Sequence, residues 1–103
     1  MYVGNDYDQS EPGENEIYTL DFVRDMLAGE TLSGATWTCV AVSGTDASAS
    51  TRISGSATVS GTQTSQRCTG FLDGVKYRLE ATVTTSLSNT KKLWSHVSVK
   101  APG

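Results

Sequence analysis

The sequence predicts a single all-β domain, a sandwich of about seven short strands preceded by an extended acidic arm. Three observations carry this expectation. Strand-like runs bounded by Gly, Asp, Asn and Ser recur about every eight to twelve residues, the rhythm of a two-sheet β protein. Ser and Thr are abundant while Leu and Ile are scarce, which suits short, half-exposed strands and argues against a helical bundle. Lys76–Thr85 alternates without a break, with Tyr77, Leu79, Ala81 and Val83 on one side and Lys76, Arg78, Glu80 and Thr82 on the other. A chain of 103 residues with 37% hydrophobic content supports one such core.

Residues 1–16 read as the arm. They hold Asp6, Asp8, Glu11, Glu14 and Glu16 with no Lys or Arg, a net charge of −5, whereas residues 17–103 carry +2. Tyr2, Val3 and Tyr7 are its only apolar anchors. Two readings stay open for it. It is a disordered terminus, or it orders against a neighbouring subunit through its aromatic side chains. The arm shows neither the basic nor the apolar region of a secretory signal, so the expectation is a protein used without export, with reduced cysteines.

The sandwich domain is assigned to residues 17–103. Ile17–Phe22 opens it. Phe22–Leu27 allows one helical turn, with Asp21 as N-cap, Gly29 as terminator, and Phe22, Met26 and Leu27 facing inward. In Thr31–Val42, Ala35, Trp37, Cys39 and Ala41 share the core face. Leu32 has the wrong parity, which a bulge near Ser33-Gly34 repairs. This run and Lys76–Thr85 are the two strongest strand signals, and they are expected to pair or face one another. Ser43–Ser50 is a polar loop. Thr51–Ile53, Ala57–Ser60 and Thr62–Thr69 are strands, the last with Thr64, Gln66 and Cys68 on one face. Asp73-Gly74 and Ser86–Asn89 are turns. Thr90–Val99 closes the domain with Leu93, Val97 and Val99 inward and Lys92, Trp94 and His96 outward. An immunoglobulin-like Greek key is the candidate topology.

Catalytic chemistry finds little support. The only imidazole, His96, falls on an outer face, and no nucleophile elbow is present. The acids of the body fall in caps, turns and outer faces. Asp6 and Asp8 lack the Gly and distal Glu of a calcium loop. Cys39 and Cys68 are too few for a zinc site. They read as two buried thiols or as a disulfide between neighbouring strands. No catalytic residue, cofactor or metal is therefore assigned. The charge distribution lacks the concentrated basic patch of a nucleic-acid binder, and no apolar run is long enough to span a membrane.

What remains is protein interaction. Trp94 projects outward between Lys92 and His96, the composition of an interface anchor, unless a twist turns it inward. Tyr2 and Tyr7 on the arm, and the small polar loop containing Asp46, are the other candidates.

The stretch from Glu16 to Ser86 resembles small virion proteins of tailed bacteriophages and prophages. The shared pattern is Asp21-Phe22, Leu27, Gly29-Glu30-Thr31, Trp37, a Gly- and Ser-rich middle, then Gly74, Tyr77, Leu79, Ala81 and Val83. Cys39 and Cys68 stand where that family carries aliphatic residues. The resemblance implies an immunoglobulin-like structural virion protein of the fiber–tail adaptor type, without enzymatic activity and assembled in the host bacterial cytoplasm. It further implies a connector that joins tail or neck to fibers and contacts neighbouring copies in a symmetric ring. The alternatives are a capsid or tail decoration protein of the same fold, and a carbohydrate-binding module built on Trp94.

Overall fold

A computed structural model describes residues 1–102; the last residue assigned to the sandwich domain, Gly103, lies outside the described residues. The described residues form six strands: β1 (Asn15–Asp21), β2 (Leu32–Ser43), β3 (Ile53–Ser60), β4 (Gln63–Thr69), β5 (Lys76–Thr85) and β6 (Thr90–Ser98). Two three-stranded antiparallel sheets, β1-β4-β3 and β2-β5-β6, pack face to face. The two strongest strand signals do pair, as β2 and β5, with Trp37 opposite Ala81 and Cys39 opposite Leu79. The register slips between Leu32 and Gly34. That slip returns Leu32 to the core, as its parity required.

The strand count is six rather than seven because Thr51–Ile53 and Ala57–Ser60 do not form separate strands. Thr51 belongs to a 3-10 turn, Ala49–Arg52, and residues 53–60 run as one strand. Its ladder with β4 is interrupted between Ser54 and Thr58, where Gly55 takes a φ of +73°. Gln66 on β4 fills the interruption. Its amide nitrogen donates to the carbonyls of Ser54 (2.8 Å) and Gly55 (3.1 Å), and a buried side chain thus stands in for missing ladder bonds. The Phe22–Leu27 segment differs too. Only Val23–Asp25 forms a 3-10 turn. Asp21, the last residue of β1, still accepts from the Val23 amide at 2.9 Å. One 3-10 turn is too short to bring the chain back to the core face, so Phe22 is buried while Leu27 is 68% exposed.

The core lies between the sheets. Phe22, Phe71, Tyr77, Leu79, Val83 and Val97 are almost wholly buried. The Trp37 indole crosses the layer and donates to the Thr64 hydroxyl at 3.1 Å, and Thr64 donates on to the Thr58 carbonyl at 2.9 Å. This chain ties β2 to both β4 and β3, and satisfies the one polar atom that a buried indole brings with it.

Glu30 pins the β1–β2 connection to the β5–β6 turn. Its carboxylate accepts from the Thr85 hydroxyl, the Leu27 amide (3.0 Å) and the Asn89 amide nitrogen (3.0 Å). These bonds, that from Thr85 foremost, hold its carboxyl below the usual range. Its role in the Gly-Glu-Thr run is therefore to join two loops at one end of the sandwich.

Cys39 on β2 and Cys68 on β4 are free and buried, one on each sheet. Burial pushes both thiols up to about 12. Thiolate is the attacking species, so near neutral pH each should react with a disulfide reagent on the order of a thousandfold more slowly than a free cysteine. Both should react at the ordinary rate once urea unfolds the chain. Prompt labelling of either thiol in the folded protein would contradict this placement.

Candidate interaction surface

β6 alternates as its sequence dictates. Leu93, Ser95 and Val97 enter the core, and Lys92, Trp94 and His96 face outward. On the neighbouring strand, Arg78 lies opposite His96 and Glu80 opposite Trp94. The far edge of β6 is taken by the arm. The amides of Val3, Tyr7 and Ser10 donate to the carbonyls of Trp94, His96 and Ser98, each at 2.9 Å, while the Trp94 and Lys100 amides donate to the carbonyls of Met1 and Ser10. The pairing is parallel, with Tyr2 facing Trp94 and Ser10 facing Val99. Between these points the Ser95 hydroxyl donates to the Asn5 carbonyl at 2.7 Å. Thus the arm orders on its own chain.

This pairing assembles an aromatic and charged cluster. Tyr2 packs on Trp94 with ring centroids 4.9 Å apart and planes tilted by 38°. His96 completes the group, 5.1 Å from Trp94 and 6.0 Å from Tyr2. Asp6 ties it together. Its Oδ1 accepts from the Tyr2 hydroxyl at 2.7 Å and lies 3.4 Å from His96 Nδ1. The Tyr2 bond first, then the nearby charges of His96 and Lys76, hold the Asp6 carboxyl below its ordinary value. The Arg78 guanidinium sits over the indole, 5.8 Å from its centroid. Its Nε is buried with no hydrogen-bond partner among the described residues.

The candidate residues therefore separate. Tyr2, Trp94 and His96 come together, and Lys92 lies exposed on the same face, one strand repeat away. Tyr7 points to the other side of the arm. It meets Tyr18 edge-on at 4.9 Å and donates to the Thr19 carbonyl at 2.9 Å. Burial raises its phenol well above the usual value. Asp46 stands apart in a buried network. It accepts from Nε and one Nη of Arg52 (3.0 and 3.1 Å), the Tyr77 hydroxyl (2.7 Å) and the Ser48 amide (2.9 Å). Its side chain is 2% exposed, so it organises the 43–52 loop from within. The Leu72 amide donates to the Tyr77 hydroxyl at 2.9 Å and extends the network to the β4–β5 link. Asp6 and Arg78 are the cluster members that sequence reasoning missed. The available signal was the opposition of an acidic arm to a cationic outer face, but the register that brings them together is tertiary.

Among the described residues, no group of three or more His, Cys, Asp or Glu is placed to hold a metal. Nor, among the described residues, is any helix long and apolar enough to cross a membrane.

A family model described as podophage GP4 fiber-tail adaptor protein gp77 matches residues 11–93. No curated protein matches the chain. The matched span covers β1 through β5 and the first residues of β6. Tyr2, Asp6, Tyr7, Trp94 and His96 fall outside it.

The Asp46 network has a definite pH signature. The hydrogen bonds from Arg52, then that from Tyr77, lower the Asp46 carboxyl to about 2. A depressed carboxylate stabilises the fold fully above its unfolded value, near 4, and that contribution is lost as pH falls toward 2. Asp46→Asn should lower the urea midpoint at neutral pH, and the gap to the parent should close across that acid window. An equal gap at both ends would show that the carboxylate charge is not what stabilises the loop.

Proposed function

The chain belongs to the podophage GP4 fiber-tail adaptor family, and from that premise we propose that it joins the tail or neck of the particle to its fibers through the β6 face. The coarser statement follows from membership: this is a phage structural adaptor and a virion component that contacts other virion proteins. The proposal concerns the finer one, namely which surface makes the contact and how copies are arranged.

The observation that carries it is the Tyr2–Trp94–His96 cluster with Arg78 beneath it. Trp, Tyr and Arg are the side chains that dominate interface energies, because each buries a large area and brings a directed polar group. The cluster lies on the outer face of β6 and is half-exposed. The Arg78 guanidinium lies over the indole, 5.8 Å from its centroid, and adds a cation–π contact to the group. Tyr2, Asp6, Trp94 and His96 also lie outside the span shared with the family model, as expected of a partner-specific surface on a common scaffold, while Arg78 lies within it. The division of labour proposed is a scaffold, residues 17–103, and a partner-facing arm, residues 1–16.

The fold assignment belongs with this reading. The spatial order β1-β4-β3 facing β2-β5-β6 corresponds to strands B-E-D facing C-F-G of an immunoglobulin-like sandwich, which supports that lineage. In a symmetric ring, repeated copies would present the same patch many times, and multivalency would convert modest single contacts into a durable joint. Assembly in the host bacterial cytoplasm follows as part of the same proposal, with no role for nucleic acid, membrane or catalysis.

Trp94→Ala should preserve the far-UV circular dichroism of the sandwich and weaken binding to the purified tail or fiber partner by at least about tenfold. Particles assembled with the variant should lack fibers. Normal fiber attachment would refute the β6-face assignment. Binding to capsid protein alone would indicate a decoration protein, and loss of binding to a glycan would indicate a carbohydrate-binding module.

A further inference from the structure

The two sheets meet differently at their two sides. On one side β2 and β3 pack directly against each other. On the other, β6 and β1 are sheet edges, and the arm lies between them. It donates to β6 through its backbone and reaches β1 through Tyr7, which bonds the Thr19 carbonyl and packs on Tyr18. Removing the arm would leave the carbonyls of Trp94, His96 and Ser98 unpaired beside an opened apolar seam. Such an edge is a template for another strand.

We propose that the arm is an exchangeable strand: residues 1–10 of one copy dock on β6 of a second copy, in the seat that each chain's own arm occupies here. The inference does not depend on which virion protein the adaptor meets.

Three observations point to a second copy as the occupant. The seat already shows what it recognises. It takes parallel backbone pairing at Tyr2 and Ser10, a tyrosine seven positions into the chain that fits between β6 and β1, and a hydroxyl on Ser95 that meets the Asn5 carbonyl. An identical arm brings all of these at once. The charges also agree. Residues 1–10 carry Asp6 and Asp8 and no Lys or Arg, while the outer face of β5 and β6 carries Lys76, Arg78, Lys92 and His96 against the single acid Glu80. This favours an acidic strand over a generic one.

The hinge is weak where the seat is strong. The link from arm to β1 turns at Glu11–Glu14 and is held by two long bonds, Glu14 amide to Glu11 carbonyl and Gly13 amide to Phe71 carbonyl, both 3.3 Å. The Ser10 hydroxyl adds contacts to Glu14 (3.1 Å) and Glu11 (3.4 Å). Gly13 sits at a φ of +80°, and nothing lies within 4 Å of the place a Cβ would take. Opening this turn costs few strong contacts, and every arm contact reforms on the neighbour. Exchange of an identical element between copies is a low-cost route to association for that reason.

The test uses the full chain without substitution. Equal amounts of unlabelled and nitrogen-15-labelled protein are mixed, concentrated, warmed and cooled, then treated with a zero-length carbodiimide. The reagent couples carboxylates to nearby amines, and Asp6 lies within the field of Lys76. The arm–β5 cross-linked peptides are read by mass spectrometry. With exchange, mixed-isotope peptides of the two kinds together, labelled arm on unlabelled body and the reverse, approach half of the total, in species heavier than a monomer. Only same-isotope pairs, at the highest concentration that stays in solution, would overturn the proposal. Gly13→Ala supplies the second measurement. A side chain is strained at that φ in the closed turn, and opening the turn relieves it, so the mixed-isotope fraction at a fixed subsaturating concentration should rise several-fold. No rise would remove Glu11–Glu14 as the hinge and overturn exchange by this route.

Discussion

Every sheet ends in a row of unpaired amides and carbonyls, and in this protein the edge of β6 is where that constraint governs the rest. A six-stranded sandwich with β1 and β6 as the edges of one side leaves a seam between its layers. The arm closes it by pairing with β6 while its tyrosine reaches β1. One short segment thereby satisfies backbone polarity in one sheet and apolar exposure in both. The aromatic cluster is a consequence of the same pairing. Tyr2 meets Trp94 because the two are register partners, and Asp6 meets Tyr2 and His96 because the arm continues along the strand.

The interior depends on polar side chains that act on backbone. Gln66 bridges the irregular part of β3, Glu30 joins two connections at one end, Asp46 gathers the 43–52 loop onto Tyr77, and the Thr64 hydroxyl accepts a hydrogen bond from the Trp37 indole N–H. Each is buried and bonded several times, the condition under which a polar group in a core is tolerated. A thin hydrophobic core is thus supplemented by fixed crosslinks between loops and strands. These features lie within the span shared with the adaptor family, residues 11–93, whereas most of the surface cluster lies outside it. On the proposed reading the scaffold and the surface answer to different demands, one to folding and the other to the partner.

Much of the strand pattern is legible in the sequence because a strand's faces alternate with a period of two. The inward sets of β2, β5 and β6 follow from alternation, and the bulge before Ala35 follows from the parity of Leu32. The departures share one cause. Leu27 would face inward in an α-helical turn, yet the chain makes a single 3-10 turn there. Residues 51–60 divide by local pattern at Ser54-Gly55-Ser56, because the Gln66 side chain that keeps β3 one strand lies in another strand. Local sequence reports propensity, and both departures arise where the fold of the chain beyond the segment outweighs it.

From the sequence alone come the all-β class, the core-facing residues of the long strands, the separation of an acidic arm from a weakly basic body, and a family resemblance carried by short motifs. These are properties of composition and of period, and the residues concerned are near neighbours in the chain. The tertiary structure alone decides that the arm seats on β6, that Asp6 and Arg78 join Tyr2, Trp94 and His96, and that Asp46 is committed to the interior. Each of those depends on the register between segments up to about ninety residues apart, and register is settled only when both edges of the seam must be satisfied together.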